Sequence, residues 1–150
     1  MISQRFAWKF STFAGILAVA AGVLPPVARA AMPYGNYDLQ IEGRYDFHTW
    51  VWAITACPGG CVHVNAIARP VAKAFPYAGD AHLADGRYTL AVDVPDGLRC
   101  GDIYYGPTIP THDVYTWDAV TLAGSVESSF AAGCDGAPGT QTYPFTLSRM

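Results

Sequence analysis

The sequence predicts an all-β fold: a single antiparallel barrel or sandwich of about eight strands with two disulfides, preceded by a helical signal peptide. Three observations predict this fold. Short segments of alternating apolar and polar residues recur at spacings of about ten residues, separated by turn residues. Val, Thr and Tyr are abundant while Lys, Glu and Gln are scarce, which favours strands over helices. Four cysteines follow a secretory-type amino-terminal segment.

That amino-terminal segment has the three regions of a secretory signal peptide. A basic stretch and a mostly apolar one, residues 10–24, precede Ala28-Arg29-Ala30, a cleavage site of the A-x-A type. The apolar run is shorter than the ~20 residues that a membrane-spanning helix needs. We therefore expect a signal peptide at residues 1–30, cleavage between Ala30 and Ala31, and one mature all-β domain at residues 31–150. The mature protein is expected to be secreted or to stay in the cell envelope, with no stable membrane anchor.

Cleavage changes the charge of the protein. Three of the nine basic residues lie before Ala31 and all twelve acidic residues lie after it, so the mature net charge is −6. The remaining basic residues are scattered, and no patch could follow a phosphate backbone or an anionic membrane surface. Nucleic acid is therefore excluded as an expected partner.

The four cysteines are expected to form two disulfides in an oxidising compartment. Three pairings are possible, and we favour Cys57–Cys61 with Cys100–Cys134. The first pair flanks Pro58-Gly59-Gly60, which is typical of a tight turn between two strands. A redox motif or a thiolate metal site is the alternative, although redox motifs have two intervening residues rather than three.

The individual strands follow from alternation and turn residues. Residues 45–56 form the longest candidate strand, and its part from Trp50 to Ile54 is apolar on both faces, which predicts burial on both sides. Asp85-Gly86 predicts a type I′ hairpin turn before residues 87–94. The other predicted strands cover residues 37–41, 61–67, 82–84, 98–105, 114–122, 126–130 and 143–148.

Proline and glycine mark the predicted connections. Residues 68–79 are expected to be a connection with a short helical turn at 71–74, and 106–110 a second one. Pro95-Asp96-Gly97 is expected to be a turn and Gly124 a bend. Pro144 indicates that the last strand lies at an edge or a bulge.

Several of these motifs resemble those of a group of small secreted proteins of mycobacteria and related actinobacteria. They are Gly43-Arg44-Tyr45, the tryptophan strand that runs into Cys57-Pro58-Gly59-Gly60-Cys61, Leu83-Ala84-Asp85-Gly86-Arg87-Tyr88, Cys100, Trp117-Asp118-Ala119-Val120-Thr121-Leu122-Ala123-Gly124 and the aromatic-Phe-Thr-Leu ending. The resemblance implies an exported, cysteine-paired β-protein and carries over no catalytic residue. Gly43-Arg44-Tyr45 also resembles the Gly-x-Trp start of lipocalin-like barrels, with tyrosine in place of tryptophan.

Two clusters of side chains are candidates for catalysis or metal binding. Asp113 and Asp118 lie among aromatic residues, and a pair of carboxylates beside aromatic rings could cleave a sugar. The two differ by five positions, so one strand would point them to opposite faces; the alternative is Asp113 as a turn residue and Trp117 as core. The histidines, His48, His63, His82 and His112, have no metal-ligand spacing and are expected to be strand or surface residues.

We expect a non-enzymatic secreted β-protein that binds a hydrophobic small molecule or a component of the envelope or host. The aromatic side chains that could line its site are Trp50, Trp52, Tyr104, Tyr105 and Trp117. These rings could equally form the core of the domain. A carbohydrate-active cell-wall hydrolase using Asp113 or Asp118, and a purely structural or antigen-like envelope protein, are the alternatives. No cofactor and no metal are expected, because no catalytic or metal-binding motif occurs.

Overall fold

A computed structural model describes residue 22 and residues 31–44, 50–68, 76–102 and 105–150. Except for Gly22, the predicted signal peptide lies outside the described residues, as do His48, Tyr104 and the predicted helical turn at 71–74. The described chain forms eight strands in sequence order: β1 (Gly35–Ile41), β2 (Trp50–Cys57), β3 (Cys61–Ala68), β4 (Tyr77–Ala84), β5 (Arg87–Arg99), β6 (Thr108–Asp118), β7 (Ala123–Phe130) and β8 (Gly139–Arg149).

The eight strands close into one antiparallel barrel. Each strand pairs with the next along the chain, and β8 pairs back onto β1, with Leu39 opposite Leu147. The all-β fold and the two disulfides are confirmed, and the architecture is a barrel rather than a sandwich; the predicted helical signal peptide lies outside the described residues. No helix capable of crossing a membrane is found in the part of the chain that the structure describes.

The barrel has two different ends. We call one the short-turn end, where the tight turns at residues 58–60, 85–86 and 119–122 join neighbouring strands. We call the other the long-loop end, where longer connections follow β1, β3, β5 and β7. The Cys57–Cys61 disulfide closes a turn at the first end, and Cys100–Cys134 ties together two loops at the second. This pairing confirms the predicted one.

Aromatic rings fill the interior towards the short-turn end. Trp52 is fully buried, with its ring 5.2 Å from Trp117 and 5.2 Å from Tyr115, and Tyr88 stacks on Trp117 at 5.3 Å. Ring pairs at these distances contribute about 0.5–1.5 kcal/mol each beyond the burial of their area. Met32 covers the interior at the short-turn end: its side chain is buried and its backbone N–H donates to the Tyr88 hydroxyl at 3.3 Å.

Strand β2 is buried on one face only, which corrects the prediction of two covered faces. Trp50, Trp52 and Ile54 point into the barrel, whereas Val51 and Ala53 are half-exposed. A closed barrel has one interior, so apolar residues at the outward positions of a strand stay at least partly in contact with water.

Strands β4 and β5 both extend beyond their predicted limits. β4 begins at Tyr77, within a stretch that was expected to be a connection, because Tyr77 pairs with Ala66 and places its ring in the core. β5 continues through Pro95-Asp96-Gly97, where a turn was expected. A register shift between Val94 and Leu98 gives a bulge there, which accommodates the proline without ending the strand.

The turn between β6 and β7 lies at residues 119–122 and not at Gly124. Asp118 fixes it, because its Oδ1 accepts hydrogen bonds from the backbone N–H groups of Val120 and Thr121 at 2.8 Å each. β6 also begins at Thr108, so the predicted loop at 106–110 is shorter and the predicted strand at 98–105 is limited to residues 98–99.

Pro144 lies in a closed ladder, so the predicted edge or bulge is wrong. It stands opposite Ser125 without a register shift, and its carbonyl accepts from Glu42 N on the β1 side at 2.9 Å. In an antiparallel ladder the backbone N and O of one residue face the same neighbouring strand. The N–H that Pro144 lacks would therefore point towards a position beyond the last residue of β1.

Candidate functional site

Three polar side chains lie inside the barrel towards the long-loop end. They are Thr111 and Asp113 on β6 and Ser128 on β7, with exposures of 5%, 2% and 3%. Asp113 stands directly opposite Ser128, and Thr111 lies two positions along the same face of β6. We call these three residues the inner polar cluster.

The alternation of β6 places this cluster. Thr111, Asp113, Tyr115 and Trp117 occupy successive inward positions, because side chains two residues apart share one face of a strand. Along this face the chain changes from polar to aromatic towards the short-turn end. The inward positions of β5 that stand opposite Asp113 and Thr111 are Val92 and Val94, which give the cluster an apolar wall.

Each member of the cluster has a buried atom that forms no hydrogen bond within the described residues: Thr111 Oγ1, Asp113 Oδ1 and Ser128 Oγ. Folded proteins satisfy nearly all such groups, since a buried polar atom without a partner costs about 1–3 kcal/mol and a charged one more. Three of them on adjacent positions of two paired strands indicate a place where a molecule with hydrogen-bonding groups would be stabilised.

Tyr115 and Tyr77 connect the aromatic core with the row of residues next to this cluster. Trp52 Nε1 donates to the Tyr77 hydroxyl at 2.9 Å, and the rings of Tyr77 and Tyr115 stack at 5.6 Å. Burial raises the pKa of Tyr77 well above its usual value, and the neighbouring Tyr115 and the charge of Asp113 raise it further. Tyr77 is therefore a neutral hydroxyl at physiological pH.

Arg44 and the β5 bulge cover the barrel at this end. Arg44 Nη2 donates to the carbonyl of Gly97, and its guanidinium lies 6.0 Å from the centre of the Tyr143 ring. Gly97 lies against Thr111 so closely that a Cβ at that position would come within 1.7 Å of Thr111 Oγ1. Only glycine fits here, and the bulge brings its carbonyl to Arg44.

An apolar groove of about 620 Å³ lies on the outer side of β5, β6 and β7 near the same end. Pro95, Pro110 and Phe130 are among its lining residues, and Thr111 lies at its inner edge. His112 and Asp93 are hydrogen-bonded at its rim, with 2.7 Å between Nδ1 and Oδ1. The volume of this groove is within the range of small-molecule sites.

The predicted aromatic site residues do not come together on one surface. Trp52 and Trp117 are in contact in the core, and Trp50 packs on Tyr77 at 5.5 Å. Tyr105 is 81% exposed in the loop before β6, and its backbone N–H donates to Asp102 Oδ1 at 2.8 Å. Ligand binding by these side chains and by Tyr104 stays a prediction.

The two predicted acids point to opposite faces, as their spacing predicts. Asp113 faces the interior, whereas Asp118 binds the backbone of the β6–β7 turn. The expectation that Asp113 is a turn residue is wrong, because β6 begins five residues before it. Trp117 is core, as expected.

The histidines of the described residues lie on the outer surface. His63 pairs with Asp80 at 2.6 Å, in the same cross-strand arrangement as His112 with Asp93, and His82 is exposed. Within the described ranges no group of three or more His, Cys, Asp or Glu side chains is placed to hold a metal ion.

Thr111 and Ser128 are site residues that the sequence analysis missed. The sequence feature that indicates Thr111 is the alternation along β6. Once Trp117 and Tyr115 are assigned to the interior, Asp113 and Thr111 must point there too. Comparison with protein-family models, with curated protein sequences and with solved structures found no match for this chain. Arguments about its function therefore rest on the geometry of the barrel.

Proposed function

We propose that this protein is an exported, non-enzymatic binding protein whose barrel holds a small amphipathic molecule at its long-loop end. The observation that carries the proposal is the inner polar cluster: three buried polar atoms, on Thr111, Asp113 and Ser128, without partners in the described chain. A bound molecule with hydrogen-bond donors would offset the cost of their burial.

The surroundings of the cluster favour a molecule with an apolar body. Val92 and Val94 flank it on β5, and the aromatic core lies directly below it. Ligand sites in proteins are usually apolar, with a few polar groups that fix the orientation of the ligand. The cluster would hold the polar end of the molecule, and the valine side chains would contact its hydrocarbon part.

Export is part of the proposal and is supported by two features. Two disulfides are typical of oxidising compartments outside the cytosol. The segment before Ala31 has the pattern of a cleaved signal peptide. The mature protein would act outside the cell or in its envelope, in keeping with the resemblance to small secreted actinobacterial proteins.

A sugar hydrolase is the less favoured function. It would need two carboxylates facing one cleft about 5–9.5 Å apart. Asp113 and Asp118 face the barrel interior and a surface turn instead.

Native mass spectrometry of protein exported by its own host tests the proposal. We expect a complex heavier than the mature chain, which loses a small organic molecule on denaturation and extraction. Ser128→Ala is expected to lower the occupancy, because it removes one of the unpartnered groups. Ser129→Ala, its outward-facing neighbour, serves as the matched control and should keep the wild-type occupancy. A native mass equal to that of the bare chain would contradict the proposal and favour a structural envelope protein.

A further inference from the structure

The chemistry of the inner polar cluster indicates the class of molecule that it would hold. We propose that the ligand carries a primary ammonium group, which pairs with the carboxylate of Asp113 and donates to Ser128 and Thr111. This inference rests on the proposed function, since it names the polar end of the molecule that the barrel binds.

Charge is the first argument for an ammonium. Asp113 is the only member of the cluster that can carry a charge, and its Oδ1 is buried without a hydrogen-bond partner. A buried carboxylate is stabilised by a cation that also donates hydrogen bonds to it. A neutral alcohol would leave the charge uncompensated, and a carboxylic acid ligand would bring a second negative charge against it.

Three of the described arginine side chains donate hydrogen bonds to backbone carbonyls. Arg44 donates to the Gly97 carbonyl, Arg99 Nη1 donates to the carbonyl of Gly106 at 2.7 Å, and Arg149 Nη2 to that of Tyr34 at 3.4 Å. None of them bonds Asp113 Oδ1. The cation that complements this atom is therefore assigned to the ligand.

The number and spacing of the acceptors are the second argument. An ammonium has three N–H donors, and the cluster provides three oxygen atoms on adjacent positions of β6 and β7. Cβ atoms of directly opposed residues are about 4.5–5.5 Å apart, so one nitrogen held at about 2.7–2.9 Å from a side-chain oxygen could bond both Asp113 and Ser128. Thr111 lies on the same face of β6, one inward position nearer the long-loop end of the barrel.

The apolar wall is the third argument, and it favours a monoamine over a polyamine. Val92 and Val94 stand beside the cluster, and both are buried. A hydrocarbon chain attached to the ammonium would pack against these side chains, whereas a second charged group would have to lie against them.

Calorimetric titration with three probes of equal chain length tests the inference on the ligand-free mature protein. The probes are hexylamine, hexanol and hexanoate. We expect hexylamine to bind about tenfold more tightly than hexanol, because a charge-assisted hydrogen bond is stronger than a neutral one, and hexanoate not to bind. Asp113→Asn should remove the preference for the amine while hexanol binding stays. Asp93→Asn, on the outer surface of the neighbouring strand, is the matched control and should retain the preference.

The outcomes separate this inference from the function on which it rests. Hexanol binding as tightly as hexylamine, with Asp113→Asn unchanged, would overturn the ammonium but leave a binding protein. If none of the three probes binds and the native mass equals that of the chain without a ligand, both the ammonium inference and the proposed binding function are overturned. A double-mutant cycle compares the stability losses of Asp113→Asn and Arg44→Gln with that of the double variant. If the two losses are not additive, Arg44 is the counter-ion of Asp113 and the inference is overturned. The comparison of hexylamine with hexanol uses the wild-type protein, so it tests the preference for an ammonium even if Asp113→Asn fails to fold.

Discussion

Asp113 and Ser128 lie directly opposite each other on β6 and β7, and both side chains point into the barrel. The next inward row of the same two strands pairs Tyr115 with Val126, which are fully buried. The interior therefore changes from apolar to polar within one row. The aromatic half packs ring against ring, and the polar row near the long-loop end has three buried oxygen atoms that form no hydrogen bond within the described residues.

Ser128→Ala is expected to leave the free energy of unfolding of the ligand-free protein unchanged or to raise it by up to about 1 kcal/mol. The Ser128 hydroxyl is buried without a partner, so its removal abolishes a desolvation cost and no hydrogen bond. Ser129→Ala removes the hydrogen bond from the Ser129 hydroxyl to the His112 carbonyl, 3.3 Å long, and should cost about 0.5–1 kcal/mol. Chemical denaturation measures both. A loss above about 1 kcal/mol for Ser128→Ala would show that the hydroxyl has a partner.

Gly97→Ala is expected to cost at least about 2 kcal/mol of stability, because the new Cβ would clash with Thr111. The three nearest atoms are Oγ1 at 1.7 Å, Cβ at 2.8 Å and Cγ2 at 3.0 Å, all from the Thr111 side chain. Thermal or urea unfolding measures the loss. The double variant Gly97→Ala/Thr111→Gly lacks all three atoms and should recover part of the stability that Gly97→Ala loses. If the losses of the two single variants simply add in the double variant, the close approach of Gly97 to Thr111 is contradicted.

The two disulfides should differ in what they contribute. In the chain-entropy account, stabilisation grows with loop length, and the cysteines are separated by 34 residues in one bridge and 4 in the other. Replacing Cys100 and Cys134 by serine should therefore cost about 4 kcal/mol, and replacing Cys57 and Cys61 about 2 kcal/mol. Urea unfolding of the two double variants measures the difference, and the reverse order would contradict this account.

Stability should fall as the pH rises above about 10, the pKa of tyrosine in an unfolded chain. The folded-state pKa of Tyr77 is raised by burial, so above that pH the unfolded chain releases a proton that the folded chain retains. Below it the two states hold the same proton, and Tyr77 adds no pH dependence. Unfolding measured across this range should show a shallower decline in Tyr77→Phe than in the wild type. Identical slopes would mean that Tyr77 ionises in the folded protein as readily as in the unfolded chain.

Local turn chemistry predicted much of the barrel. Asp85-Gly86 has positive φ at both residues, 50° and 76°, as its predicted turn requires, and the Cys57–Cys61 turn joins β2 to β3. The features that were missed depend on contacts distant in sequence. The bulge in β5 needs its partner β6, and the β6–β7 turn places Leu122 at a φ of 61°, which a sequence rule would not assign to leucine.

The candidate site was predicted only in part, for the same reason. Asp113 was singled out by its aromatic neighbours, but its orientation depends on where β6 begins. A start at Thr108 rather than Val114 places Asp113 within the strand, with Thr111 on the same face. Ser128 became a site residue only through its pairing with Asp113 across two strands.

Two-dimensional NMR of the mature protein during titration with hexylamine tests the central claim most directly, because it locates the bound molecule. We predict that the largest shifts of backbone amide signals fall on Asp113 and Ser128 and on the next inward pair, Tyr115 and Val126, none of which lines the outer groove. Residues 58–60 at the short-turn end should not respond. Shifts confined to residues of the outer groove, such as Asp93, His112 and Ala131, or no saturable shifts at all, would contradict a binding site inside the barrel.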